Sequence, residues 1–340
     1  MSEALLDVRG LTVELPVGGA LRRVIHDVSL AVAPGEALGL VGESGSGKSM
    51  TLRSVTRLLP PGAAVGGAVR FAGADVGALG AAELRAFRSR DVAIVFQDPR
   101  AHINPMRTVG DFLVEGLVTT RGVRRREAER RVCGLLEDVG IADAARRLRQ
   151  RPHELSGGLL QRVMIASALA AEPRLILADE PTTALDVTTQ EEVMAILDEQ
   201  RRERGLAMLF ITHDLELASA VCDRIAVMYA GSIVDVRPAA DLHACAAHPY
   251  TVALLEARPG LGRRGERLRT VAGRPLSAFE APDGCAFAPR CPRAEERCRT
   301  ETPRLRPAGA GVAACHFADE VVARPAAEVG TSTATEVCDG

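Results

Sequence analysis

The eight residues Gly42-Glu43-Ser44-Gly45-Ser46-Gly47-Lys48-Ser49 constrain this chain more than any other stretch. They fit G-x-x-x-x-G-K-[ST], and their surroundings give the pattern its meaning. An apolar run from Ala37 to Val41 reads as a buried strand ahead of them, and "SMTLRSVTRLL" reads as a helix stopped by Pro60 and Pro61. Strand, glycine loop and helix start in that order make a cradle for phosphate. Glycines let the backbone come close, and the helix N-terminus adds free amides and positive dipole. Gly42, Ser44, Gly45, Gly47, Lys48, Ser49 and Thr51 are therefore candidate nucleotide-binding residues. Lys48 would reach the β- and γ-phosphates of a nucleotide, and the Ser49 hydroxyl would help hold Mg²⁺. Lys48 is the only lysine in the chain; the other 41 of the 42 Lys+Arg residues are arginine. A compact ammonium fits inside such a loop and a planar guanidinium does not.

Two apolar runs further on end in groups suited to this chemistry. "RLILADEPTTALD" ends its run at Asp179 and Glu180, where one carboxylate can serve Mg²⁺ and its neighbour can orient a water. "AMLFITHD" ends its run at His213. Between the loop and these runs lies "HELSGGLLQRVMIASALAAEP". Ser156 reads as the cap of a helix that starts with Gly157 and Gly158, so its first amides are open to an anion. A chain with two phosphate-grade helix starts can use the second on a nucleotide held by another subunit.

The remaining composition narrows the setting. The chain has 340 residues, 47% hydrophobic and 25% charged, enough to bury a sizeable core. A net charge of −2 gives no pull toward nucleic acid, and 3% aromatics without tryptophan make base-stacking platforms an unpromising reading. The arginine run at 124–131 alternates with acids at helical spacing, which marks a solvated helix face. No stretch approaches the ~18–20 continuous apolar residues of a membrane span, and "MSEALLDVRGL" does not look like a signal peptide. A cytosolic protein is expected, in which clustered cysteines point to metal before disulfides.

Residues 4–34 alternate as two antiparallel strands joined by "PVGG". Further strands are expected at 66–73 and 91–98, and helices through 108–170, before strands and helices alternate again from 174 to 235. The fold class is α/β: a parallel-sheet P-loop NTPase core, an antiparallel β arm, an inserted helical subdomain and a small C-terminal metal-binding extension. The expected division is an ATPase domain at 1–250 with its helical subdomain at about 98–170, an extension at 251–319 and a disordered tail at 320–340.

The phosphate loop, "FQD" with Gln97, "LSGG" with Ser156 to Gly158, "LILADE" with Asp179 and Glu180, "ALD" with Asp186 and "THD" with His213 occur in one order. In these motifs the chain resembles the ATP-binding subunits of ABC transporters over about its first 250 residues. The resemblance implies two ATPase subunits sandwiching two ATP molecules, each between the phosphate loop of one and the LSGG helix of the other. Glu180 is then the general base or water-orienting carboxylate, and His213 contacts the γ-phosphate. Gln97 senses Mg²⁺ with Ser49 and Asp179, and Asp186 lies at the dimer seam. Two departures stand out. Leu15 or Val13 occupies the place of an adenine-stacking aromatic, and Leu159 stands where the signature often carries glutamine.

Beyond the core, "HPYTVALLEARP" resembles the corresponding stretch of oligopeptide and dipeptide importers. So does the spacing of Cys285, Cys291, Cys298 and Cys315, which in that group implies a [4Fe–4S] cluster. Four thiolates are the right number for one. His316 keeps a zinc Cys/His site open as the alternative. Cys133, Cys222 and Cys245 are expected as buried small hydrophobes. Taken together, the expectation is an ATPase peripheral to the cytoplasmic face of the cell membrane. Its partners would be a second ATPase subunit, two permease subunits and, indirectly, an extracytoplasmic solute-binding protein. Import of nickel or a glycoside is an alternative cargo, and a soluble ABC ATPase acting on ribosomes or DNA is the alternative of another class.

Overall fold

The computed structural model describes residues 4–183, 185–257 and 271–322. Most of the tail expected over 320–340 therefore lies outside the described residues, as do 258–270 of the extension. The chain forms two compact units. One comprises Met1–Leu6, Val32–Ala37 and Phe71–Ile211; the other comprises Asp7–Ala31, Leu38–Arg70 and Thr212–Gly340.

The first unit is built on parallel strands. Val92–Val95 pairs with Leu175–Asp179, which pairs in turn with Ala207–Thr212. The sequence shows why: "LILA" and "AMLFIT" are unbroken apolar runs, as befits strands covered on both faces, and every residue of both is buried. Helices Val109–Thr119, Arg125–Asp138 and Gly157–Ala170 pack together, and Leu113, Val132, Leu136 and Val163 on them are buried. The outer face of Arg125–Asp138 carries the ion pairs Arg125–Glu129 and Arg131–Glu127, so its arginine run is a solvated face as read.

The strand expected at 91–98 ends earlier, at Val95. Asp98 instead caps the short helix Pro99–His102, accepting from the Arg100 N–H at 2.9 Å, and Phe96 stacks on His102 with centroids 3.6 Å apart. Pro99 has no N–H to give a ladder, so pairing stops before it.

The second unit holds the hairpin Leu6–Val17 and Ala20–Val32, with the strand Ala64–Phe71 on the other side of Leu6–Val17. It also holds a mixed sheet. Ala37–Val41 runs parallel to Arg224–Tyr229, and Ser232–Pro238 pairs antiparallel to the latter. Two three-residue strands, Gly311–Ala313 and Arg306–Ala308, extend this sheet beyond Ser232–Pro238. Nothing in the Pro- and Arg-rich composition of that segment signals strand. The core supplies the template, with Asp235 opposite Ala313.

Arg237 and Asp235 form a fully buried ion pair at 2.6 Å within this sheet. The other carboxylate oxygen of Asp235 accepts from the N–H groups of Ala247 and His248, both at 3.1 Å. This fixes the start of the helix Pro249–Glu256, whose N-cap is the His248 side chain. Burial holds the His248 imidazole neutral, pushing it down to about 3, so its Nδ1 is free to accept the Tyr250 N–H at 3.0 Å. Of the other cysteines, Cys222 is buried and Cys133 half-buried. Cys245 is fully buried, as expected of a small hydrophobe.

Candidate nucleotide site

The loop 42–49 connects the strand Ala37–Val41 to the helix Lys48–Val55 as the pattern demands. A Cβ on Gly42 would stand 2.1 Å from the Met228 carbonyl oxygen, so no other residue fits there. Lys48 is 5% exposed, and its ammonium donates to the carbonyl oxygens of Gly42 at 2.8 Å and Glu43 at 3.0 Å. It thus lies across the loop's own carbonyls, where a guanidinium would be too wide. Ser44 and Gly45 are exposed and Ser49 is half-buried. The Thr51 hydroxyl is turned inward and donates to the Gly47 carbonyl at 3.2 Å. Ser46 Oγ is buried without a hydrogen-bond partner among the described residues. Of the two aliphatic residues in the place of the adenine-stacking aromatic, Val13 is fully buried, leaving half-buried Leu15 as the one a base could touch.

His213, in the same unit, is exposed just beyond the strand Ala207–Thr212, and its neighbour Asp214 caps the next helix through the N–H groups of Glu216 and Leu217.

Gln97, Asp179, Glu180, Ser156 to Gly158 and Asp186 belong to the first unit. Gln97 is exposed, two residues past the strand Val92–Val95. Asp179 ends the strand Leu175–Asp179 and is half-buried. Glu180 has a φ of +46°, a left-handed conformation that costs a non-glycine residue roughly 1–2 kcal/mol. Its N–H donates to the Ile211 carbonyl at 3.0 Å and its carboxylate accepts from the Thr183 hydroxyl at 2.9 Å. Strain at a residue singled out for chemistry is the pattern expected where geometry is imposed for function.

Ser156 caps the helix Gly157–Ala170, accepting from the Leu159 N–H at 3.4 Å. A Cβ on Gly158 would be 2.5 Å from Thr189 Cγ2, so this helix start packs on the helix Val187–Arg204 only because it is glycine. Asp186 caps that second helix, accepting from the Thr189 N–H at 3.0 Å and hydroxyl at 2.8 Å, and these bonds hold its carboxyl below the ordinary range.

Sequence reasoning missed a set of residues that surround the phosphate loop. The Glu43 N–H donates to Tyr250 Oη at 3.0 Å. Its carboxylate accepts from both terminal nitrogens of Arg290, at 2.7 and 3.2 Å. The Gly45 carbonyl accepts from the Ala278 N–H at 3.1 Å, and the Ser46 carbonyl from the Gly231 N–H at 2.8 Å. Beneath lie Tyr229, Tyr250 and Phe287, all fully buried, with ring centroids 4.6 to 5.4 Å apart. Both tyrosines of the chain are in this cluster. The signals were there, in "HPYT" and in the arginine of "CAFAPRC", but they served only as marks of resemblance.

Cys285, Cys291, Cys298 and Cys315 come together around one cavity of about 10 Å³, with His248, Phe287, Arg293, Phe317 and His316 among its other walls. The Cys285 N–H donates to the Cys298 carbonyl at 2.7 Å. Burial pushes the Cys285 thiol up to about 11, and those of Cys291 and Cys315 upward too, so they are protonated at neutral pH. Among the described residues no three ligating side chains are arranged to hold a metal ion.

The comparisons with known proteins agree with this layout. The ABC transporter family model matches residues 25–183, and the oligopeptide/dipeptide transporter C-terminal region matches residues 234–298. A putative peptide import ATP-binding protein of Brucella ovis is 43% identical over 316 residues, covering 89% of this chain and 94% of that protein. The oligopeptide transport ATP-binding protein OppD of Escherichia coli K12 is 40% identical over 302 residues, covering 89% and 90%. Among solved structures, a dimeric post-hydrolysis ATP-binding cassette bound to ADP and Pi is 30% identical with a TM-score of 0.62, covering 69% of this chain and 98% of that one. The P-loop NTPase α/β fold with its mixed sheet is thereby established, and the chain belongs to the ATP-hydrolysing subunits of ABC transporters, in the group that carries the oligopeptide/dipeptide transporter C-terminal region.

Proposed function

We propose that this chain energises import of peptides or related solutes through a separate membrane permease. The observation that carries this reading is the C-terminal region matched at 234–298, which is of the oligopeptide/dipeptide type and supplies Tyr250, Ala278 and Arg290 to the phosphate loop. No helix among the described residues is long and apolar enough to cross a membrane, so the translocation path is assigned to two permease subunits. The chain docks on them at the cytoplasmic face with a second, homologous ATPase, and an extracytoplasmic solute-binding protein delivers the cargo. Nickel or glycoside cargo and a role on ribosomes or DNA are the alternatives, and no observation favours them.

In this reading Gly42, Ser44, Gly45, Gly47, Lys48, Ser49 and Thr51 form the phosphate side of the ATP site. Ser49, Asp179 and Gln97 offer a hydroxyl, a carboxylate and an amide, oxygen donors that suit a hard cation. A bound Mg²⁺ would neutralise charge on the phosphates. Glu180 orients the attacking water and accepts its proton, and His213 contacts the γ-phosphate. Ser156, Gly157 and Gly158 offer helix amides to the nucleotide of the opposing subunit, beside Asp186. The division into an ATPase domain at 1–250 and an extension at 251–319 belongs to the same reading.

Cys285, Cys291, Cys298 and Cys315 are proposed as ligands of a [4Fe–4S] cluster, with zinc as the alternative. Four cysteines around one cavity are the kind of soft donor set that either centre takes. The cavity is the size of one water, so a cluster also needs the thiols to part. The role of such a centre would be structural: its binding free energy becomes folding free energy of the segment that carries it.

Purification from detergent-solubilised membranes tests the functional reading. It predicts a permease pair bound to the chain and ATP-dependent peptide uptake by the reconstituted assembly. Ribosomes or DNA in place of permeases would overturn it.

A further inference from the structure

We infer that Arg290 is the counterion and positioning residue of the phosphate loop, supplied by the C-terminal cysteine segment. The inference rests on the reading of 42–49 as the nucleotide loop. A carboxylate on a loop that must admit a polyanion opposes that polyanion, and Glu43 is a residue of this loop. Its side chain is only 23% exposed, so water screens it incompletely. Arg290 meets it with a two-pronged bond at 2.7 and 3.2 Å, and Arg290's own side chain is 3% exposed.

The guanidinium is held from every side. Its Nε donates to the Ala272 carbonyl at 2.8 Å, and one terminal nitrogen donates to Tyr229 Oη at 3.3 Å. Its carbon lies 5.7 Å from the Tyr229 ring centroid and 5.8 Å from that of Phe287. A long, rotamer-rich side chain fixed this completely does more than decorate a surface. It neutralises Glu43 and sets the angle of the loop at the residue whose carbonyl also receives Lys48. Arg290 sits between Cys285 and Cys291, which line the cysteine cavity. Arg290 is bonded directly to Cys291, so the phosphate loop and that cavity are joined by one peptide bond and one ion pair.

The test compares ATP binding and steady-state hydrolysis in full-length variants. Arg290→Met is expected to weaken ATP binding about tenfold, within the usual span of site-to-site coupling. KM should rise with kcat nearly unchanged, the mark of lost ground-state binding rather than lost chemistry. Arg290→Lys, which keeps the charge and loses the fork, should fall between. The decisive variant is Arg290→Met with Glu43→Gln: removing the stranded carboxylate should restore most of the affinity. If Arg290→Met does not fold, Arg290→Gln carries the same expectation. Wild-type affinity in Arg290→Met, or a double variant as weak as the single, overturns the inference. Lys48→Ala serves as reference: if it binds ATP normally, the reading of the loop fails; if it alone loses binding, only the role of Arg290 fails.

Discussion

The chain has two glycine-rich helix starts, and they are built in opposite ways. At 42–49 the loop is tied to its surroundings, with Ser44 and Gly45 left exposed. Lys48 is 5% exposed, and Glu43, Gly45 and Ser46 are each hydrogen-bonded to residues from 229–290. At Ser156 to Gly158 the start is open. Ser156 is exposed, and its cap bond to the Leu159 N–H is long at 3.4 Å. A loop tied down on several sides brings its amides and its own lysine together, whereas the second start offers helix amides beside an exposed serine. The second is the kind of half-site that becomes a site when another surface closes on it.

The contrast can be broken at several points, the hydrolysis step first. Glu180→Gln is expected to keep ATP binding and slow hydrolysis by ~10² or more, the size of a general-base contribution. Unchanged turnover in a single-turnover assay would remove Glu180 from its role. Next in size is Lys48→Arg, which keeps charge but not shape. ATP affinity should drop about tenfold to a hundredfold, the worth of a charged hydrogen bond or two. Amine labelling gives a second readout: Lys48 carries the only side-chain amine, and ATP should protect it.

The packing of the open start gives a smaller effect. Gly158→Ala puts a methyl 2.5 Å from Thr189 Cγ2 and should cost about 1–3 kcal/mol, a Tm loss of a few degrees. Thr189→Ser in the same chain removes the clashing methyl and should recover it. No loss in Gly158→Ala would mean the two helices are free to part. The smallest effect concerns Glu280, held at about 2 against an ordinary 4.5 by Arg274 and by the Ser277 N–H. A carboxyl lowered on folding stabilises fully above about 4.5, and that contribution is lost as pH falls through about 2. Glu280→Gln should flatten the acid limb of Tm against pH over that window.

The sequence made the first halves of both helix starts legible because loop geometry is local. Glycines at fixed spacing, a lysine after the last of them and a serine cap need only a few neighbouring residues to act. The strand ends at Asp179 and Ala207–Thr212 were legible for a similar reason, since unbroken apolar runs report burial on both faces. What ties down the phosphate loop was not legible. Arg290 and Glu43 are 247 residues apart, and neither side of the pair carries a local mark of the other. Likewise "RPA" and "GVA" become strands only because Ser232–Pro238 offers an edge. The end of the strand at Val95 was misjudged because Phe96 continues its apolar run, while Pro99 and the Asp98 cap decide against it.

The most direct test of the contrast separates binding from hydrolysis in one preparation. Ser156→Arg changes an exposed residue of the open start and leaves 42–49 untouched. In the detergent-solubilised assembly with its permease, the variant should bind ATP with wild-type affinity and lose hydrolysis by ~10² or more. Wild-type turnover, or a loss of ATP binding in step with turnover, would contradict the division between the tied loop and the half-site.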